Sequence, residues 1–263
     1  MKIECRLLMF IGVFFFLGCE QEELTRKGYW TLENTKNEFR KIDITPGTST
    51  NVKLKVPEAP YVYSFNVIVP KSIEDGLGNP LVLSLHGGVG GAGREAHTYT
   101  DCVAPALESI NAFVISPNAD KVQWYQGYNQ DKIVQLLKMA LEFWPIDSTR
   151  IVVTGYSDGG NGSWFFSEAY PKVFSAGIPM ASSYNTDSSN GGGRNIQTPL
   201  YVIHGTGDEL FPIDRTRDWV HQSIEAGSAI QFVEAANLSH YRPCDYLPYL
   251  EDAMTWLKED VWK

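Results

Sequence analysis

Six short, continuous apolar runs constrain this chain more than any other feature. They are Leu81–Leu85, Ala112–Ile115, Ile151–Val153, Ala176–Met180, Leu200–Ile203 and Ile230–Val233. Runs of this length, rich in β-branched residues, suit strands covered on both faces of a parallel sheet. Helical periodicity separates them. Asp131–Phe143 sets Ile133, Leu136, Leu137, Ala140 and Leu141 on one face, and Pro145 stops it. Asp214–Ala226, closed by Gly227, and Tyr249–Lys258 read likewise, with Asp214 as the expected cap of its helix. Ala96–Ser109 is a further helix, interrupted by Pro105. Upstream, Tyr61–Val69 alternates and ends at Pro70, and Val52, Leu54 and Val56 alternate more weakly, as antiparallel edge strands do. Strand and helix in alternation imply an α/β sheet with right-handed crossovers. A chain of 263 residues suffices for one such domain with a sizeable core, and it shows no internal repeat.

The sharpest local signal is Gly155-Tyr156-Ser157-Asp158-Gly159-Gly160. It follows the strand ending at Thr154 and precedes a helical stretch, Asn161–Ala169. That context is what a G-x-S-x-G nucleophile elbow requires. Glycines two residues either side of the serine let strand and helix crowd against it, and the helix start aims its first N–H groups at the site. A second signal, His86-Gly87-Gly88-Val89-Gly90-Gly91, directly follows the Leu81–Leu85 strand. Such a histidine–glycine loop can supply an oxyanion-hole N–H from Gly88 or Val89, the other coming from Asp158. The loop lacks the GxxxxGK[ST] pattern of a phosphate cradle and the acidic partner context of a dinucleotide site.

A serine hydroxyl needs a base, and the base needs a carboxylate to fix its tautomer. Behind an elbow of this kind the chain order is serine, acid, histidine. Of five histidines, His86 and His97 precede the serine. His204 ends a strand in His204-Gly205-Thr206-Gly207-Asp208 and reads as a structural partner of that loop, while His221 falls in mid-helix on a solvated face. His240 remains, in the loop after the strand ending at Val233. Asp208, on its Gly-Thr-Gly-Asp turn, is the favoured acid, with Asp187 in the glycine-rich loop as its rival.

With these four signals in order, the chain resembles the feruloyl and acetyl-xylan esterase, polyhydroxybutyrate depolymerase-like group of α/β hydrolases. The resemblance runs from about Tyr61 to Trp256 and includes the strand entering His86-Gly87-Gly88, the elbow, Tyr170-Pro171-Lys172-Val173-Phe174, His204-Gly205-Thr206-Gly207-Asp208 and Ser239-His240. It implies an α/β-hydrolase fold with a mostly parallel sheet of about eight strands flanked by helices. It also implies triad roles for Ser157, Asp208 and His240, and serine carboxylesterase activity on polysaccharide or plant-derived aromatic esters. Asp158 departs from the group, whose members often carry a neutral side chain there; a carboxylate beside an oxyanion hole opposes developing charge unless it is turned away or paired.

Trp124, Tyr125 and Tyr128 form either an aromatic platform for a sugar or feruloyl ring or plain packing at a strand-to-helix crossover. The loop from Met180 to Pro199, with Gly191–Gly193, is too short for a cap domain, so no large cap is expected and the cleft should be open. With 22 basic against 31 acidic side chains the net charge is −9, which argues against a nucleic-acid partner. There is no HExxH and no CxxC pair, so neither a metal nor another cofactor is expected.

Lys2 and Arg6 precede an apolar run, Leu7–Leu17, too short to span a bilayer but suited to a signal peptide. It ends in Phe16-Leu17-Gly18-Cys19, which resembles a bacterial lipobox with Phe16 in place of the usual Leu; an ordinary cleaved signal is the alternative. The expected organisation is a lipoprotein signal peptide over 1–18, a tether and edge segment over 19–50, and the catalytic domain over 51–263. Lipid on Cys19 would anchor the domain at the bacterial cell envelope, periplasmic or surface-exposed, and be its sole contact with the membrane. Cys102 and Cys244 then remain, as a disulfide or as two buried thiols. A prolyl-oligopeptidase-type serine peptidase and a lipoprotein binding module with a vestigial triad are the rival functions.

Overall fold

The computed structural model describes residues 30–57, 62–88 and 96–263. The signal segment, Cys19, residues 20–29 of the expected tether and Val89 lie outside the described residues. Eight strands form one sheet: β1 (Ser49–Lys55), β2 (Val62–Ile68), β3 (Asn79–Leu85), β4 (Phe113–Pro117), β5 (Ile146–Tyr156), β6 (Ala176–Met180), β7 (Leu200–Gly205) and β8 (Ile230–Ala235). Their order is β1-β2-β4-β3-β5-β6-β7-β8. The β1–β2 and β2–β4 pairs are antiparallel, and every pair from β4 to β8 is parallel. Each of the six apolar runs lies within or at the start of one parallel strand. This is the α/β-hydrolase fold, with β3, β5 and β6 at its centre.

Side-chain alternation divides the core between the two faces of the sheet. Leu81, Leu83 and Leu85 of β3 pack on one side with Ile133, Leu136 and Ala140 of α3 (Gly127–Phe143) and Phe166 of α4 (Asp158–Ala169). Val82 faces the other, with Val103, Ala106 and Leu107 of α2 (Ala96–Glu108) and Leu250, Ala253 and Met254 of α6 (Leu247–Trp256). α5 (Ile213–Glu225) covers the β7–β8 end through Val220, which packs with Leu200 and Val202. Pro105 lies inside α2 without ending it.

Two expectations need correction. Asp214 is not the cap of α5: Pro212 holds that position, and Asp214 sits in the first turn, where the helix dipole favours a carboxylate, paired with Arg217. Part of the segment expected as a tether is helical: α1 (Leu32–Arg40) opens with a capping box between Thr31 and Asn34. Its polar sequence hides it, since of its nine residues just Thr35 and Phe39 are buried. The Thr35 hydroxyl and the Trp30 indole N–H both donate to the Lys55 carbonyl, at 2.9 and 3.0 Å, pinning the helix to β1. Phe39 stacks 4.9 Å from Trp144 and 6.3 Å from Phe65.

The loop from β6 to β7, residues 181–199, folds back in a turn bridged between Asp187 and Gly193, and no cap domain grows from it. Arg194 holds its base, donating to the carbonyls of Asn185 and Asp187 while paired with Glu168 of α4. Cys102 of α2 and Cys244, in the turn after His240, are joined by a disulfide. Because Phe39 is fully buried between two rings, Phe39→Ala should cost about 3–5 kcal/mol in urea unfolding. A loss below about 1 kcal/mol, the usual range of surface changes, would mean that α1 is not integral to the domain.

Candidate active site

The site forms where the C-terminal ends of β5, β7 and β8 meet the head of α4. Ser157, between β5 and α4, adopts φ 57° and ψ −119°, a backbone conformation sparsely populated for any residue with a side chain. The glycines make it possible: a Cβ at Gly155 would collide with the Gly159 carbonyl, and one at Gly159 with the Leu85 carbonyl. The Ser157 N–H donates to the Met180 carbonyl at 3.0 Å, fixing the turn against β6.

Ser157, His240 and Asp208 come together from three loops and are all buried. Ser157 Oγ lies 2.9 Å from His240 Nε2, and His240 Nδ1 lies 2.8 Å from Asp208 Oδ2. The other Asp208 oxygen accepts the N–H groups of Leu210 and Phe211 at 3.0 and 2.7 Å. Burial alone would raise the Asp208 pKa; the His240 hydrogen bond and the Phe211 N–H outweigh it and hold the carboxyl below its ordinary range. Asp208 is therefore an ionised partner that keeps the proton on Nδ1 and leaves Nε2 to face the serine. Asp187, the rival acid, is exposed in the β6–β7 turn and belongs to no such row.

Gly87 lies directly against the nucleophile: a Cβ there would stand 2.8 Å from the Tyr156 carbonyl and 3.0 Å from Ser157 Cβ. Gly88 follows at φ +72°, a conformation that favours glycine. His86 holds this loop from behind. Its Nδ1–H donates to the Gly87 carbonyl at 2.9 Å, and its Nε2 accepts the Ala119 N–H at 3.0 Å, which fixes a neutral tautomer. Asp158 occupies the first position of α4, whose leading N–H groups have no intrahelical acceptor and point at the serine. Its carboxylate sits at the positive end of the helix dipole and close enough to His86 to raise that group's proton affinity.

The aromatic trio divides. Trp124 is 1% exposed, donates its indole N–H to the His86 carbonyl and packs edge-on against the His86 ring, so it has no face to offer a ligand. Tyr128 is half-buried, with its hydroxyl on Asp120 and the Lys132 ammonium 4.5 Å over its ring. Tyr125 alone is well exposed, at 49%, beside Phe165. The apolar surface at the base is instead Phe211, 4.9 Å edge-on to the His240 ring, Tyr241, 5.8 Å away and 70% exposed, and Leu210, 48% exposed. The sequence offered one clue to them: each adjoins or nearly adjoins a triad position.

His204 is fully buried and donates Nε2–H to the Phe211 carbonyl at 2.8 Å. It braces the acid turn, as expected, and His221 is exposed on α5. Among the described residues no group of three or more His, Cys, Asp or Glu could hold a metal ion, and no helix is long and apolar enough to cross a membrane.

Desolvation lowers the pKa of both His86 and His204, so both are neutral in the native state at neutral pH. Unfolding frees them to take up protons below about pH 6.5, the value of an unperturbed imidazole. Their contribution to stability is complete above that pH and is lost as pH falls toward the native values. The urea midpoint should accordingly drop between pH 7.5 and pH 5, and an unchanged midpoint would contradict the buried neutral pair.

No protein-family model matches the sequence, and a search of curated proteins finds no match. Solved structures do match. A thermostable esterase superposes with a TM-score of 0.65 at 22% identity over 80% of this chain and 62% of its own length. This chain thus spans under two thirds of that esterase. The fluorophosphonate-binding serine hydrolase F of Staphylococcus aureus gives 0.66 at 17% identity, over 82% of this chain and all of its own. An acylaminoacyl peptidase gives 0.61 at 16%, over 83% of this chain and 42% of its own. These likenesses establish that the chain has the α/β-hydrolase fold.

Proposed function

We propose that the protein is a serine carboxylesterase that removes ester substituents from a polysaccharide or a related plant-derived aromatic ester. The observation that carries this reading is the Ser157–His240–Asp208 row, with links of 2.9 and 2.8 Å, set at the head of α4. Ser157 Oγ attacks the ester carbonyl as His240 Nε2 takes its proton. The oxyanion that forms is met by the N–H of Asp158 and by the glycine loop at Gly88, which is worth on the order of 10²–10³ in rate per donor. The intermediate collapses, His240 returns the proton to the departing alcohol, and water then repeats the sequence on the acyl-enzyme. No cofactor enters.

Three features support the substrate class. Among the described residues no cap covers the site, which suits bulky or polymeric esters. Phe211 and Tyr241 set aromatic surface beside the base, suited to a flat ring. An anchor at Cys19 would also hold the domain near its source of polymer. The ten residues 20–29 between that cysteine and Trp30 reach at most about 36 Å when extended. The cell envelope is the corresponding location.

The likeness to an acylaminoacyl peptidase favours one other reading, a serine peptidase. A panel of acetylated xylan, methyl ferulate, a glucuronate ester, nitrophenyl acetate and peptide anilides separates the two. Ester turnover should dominate and should fall at least about 10³-fold in Ser157→Ala; retained turnover in that variant would overturn the nucleophile. Tyr241→Ala should raise KM for methyl ferulate about 2- to 10-fold, the worth of one aromatic contact, and leave nitrophenyl acetate within twofold. Equal effects on both substrates would remove Tyr241 from the ring-binding surface.

A further inference from the structure

His240 lies in a loop, outside the helices and strands, so no ladder of backbone bonds holds it. Its two main-chain polar groups are nevertheless both bound, and by side chains. The N–H donates to Glu209 Oε2 at 3.0 Å, and the carbonyl accepts the Tyr156 hydroxyl at 2.7 Å. These holders directly flank the other two members of the row: Tyr156 precedes Ser157, and Glu209 follows Asp208. Glu209 grips harder than one bond. Both its oxygens accept the Ser239 hydroxyl at 2.8 Å, and Ser239 Oγ in turn accepts the Tyr241 N–H at 3.2 Å. The whole segment 239–241 is thereby tied to the acid turn, and these bonds hold the Glu209 pKa below its ordinary value, the Ser239 hydroxyl first among them.

We propose that Glu209 and Tyr156 are positioning residues that hold the base by its main chain, so that its ring meets Ser157 and Asp208 together. The inference rests on the hydrolase reading above. Two ring bonds alone leave the imidazole free to swing as its backbone shifts, and a misplacement of about 1 Å costs on the order of 100-fold in rate. Fixing the main chain at both ends removes that freedom. It also makes the spacing between nucleophile and acid set the place of the base, because each holder belongs to one of those two turns. Neither residue touches the reacting atoms, so each acts through His240.

The test compares Glu209→Ala, Glu209→Gln, Ser239→Ala and Tyr156→Phe in the full chain, on nitrophenyl acetate and with a fluorophosphonate probe. Loss of a charged hydrogen-bond partner should lower kcat about 10-fold in Glu209→Ala with KM within twofold, and slow probe labelling equally. Glu209→Gln keeps an acceptor and should recover most of the rate; Tyr156→Phe should lose about 5- to 10-fold. The Glu209→Ala/Ser239→Ala pair should be no slower than Glu209→Ala alone, since both act through one link. Additive losses, a change carried by KM, or no rescue by Gln would overturn the proposal. Hydrogen exchange at the His240 amide checks the link without any turnover. It should be protected in the parent and fast in Glu209→Ala, and equal exchange would also overturn the proposal. A parent protein that neither labels nor turns over ester would instead overturn the hydrolase reading, with the exchange result still deciding the link.

Discussion

The site depends on one backbone constraint, the left-handed turn at Ser157. Holding a residue with a side chain at φ 57° and ψ −119° costs about 1–3 kcal/mol and persists just where neighbours over-determine it. Here they do. β5 pairs with β3 on one side and β6 on the other, the Ser157 N–H is bound to Met180, and neither Gly155, against the Gly159 carbonyl, nor Gly159, against the Leu85 carbonyl, has room for a side chain. The strained turn lifts the serine hydroxyl out of the sheet and aims the start of α4 at it. Gly87, pressed against Tyr156 and Ser157, brings the end of β3 to the same point.

Around that point buried polar groups are arranged so that few of them carry charge. His86 and His204 are neutral by burial, and each spends its donor on a main-chain carbonyl, Gly87 for the first and Phe211 for the second. Asp208 is ionised and fully engaged, by the His240 ring on one oxygen and two main-chain N–H groups on the other. His240 thus faces a single fixed negative partner inside the protein, an arrangement able to stabilise an imidazolium. The second carboxylate of that turn, Glu209, points to the surface and holds main chain.

Much of this was legible before any coordinates. The eight strands could be read because buried parallel strands write continuous apolar runs and edge strands alternate. Ser157 and Asp208 could be placed because glycine turns at strand ends are local features, and His240 because chain order leaves few candidates. What could not be read depends on contact at a distance. α1 shows one buried aromatic among nine mostly polar residues, so it offers periodicity little apolar face to detect. Trp124 looks like its neighbour Tyr125 in sequence, yet one is sealed under His86 and the other is open to solvent. Glu209 and Tyr156 stand beside triad members in plain view, but their shared partner, the His240 main chain, is brought to them by the return of the chain after β8.

The disulfide between Cys102 and Cys244 closes a loop 142 residues apart in sequence, and Ser157, Asp208 and His240 all lie inside it. An exposed tip within that loop is the glycine-rich turn after Asp187, the kind of polar loop tip that proteases cut first. A single nick there would sever the peptide chain between Ser157 and Asp208 without parting them. Two fragments would remain one covalent molecule, held by the sulfur bridge as well as by the strands β6 and β7 on either side of the cut. The bond would then act as insurance against cleavage.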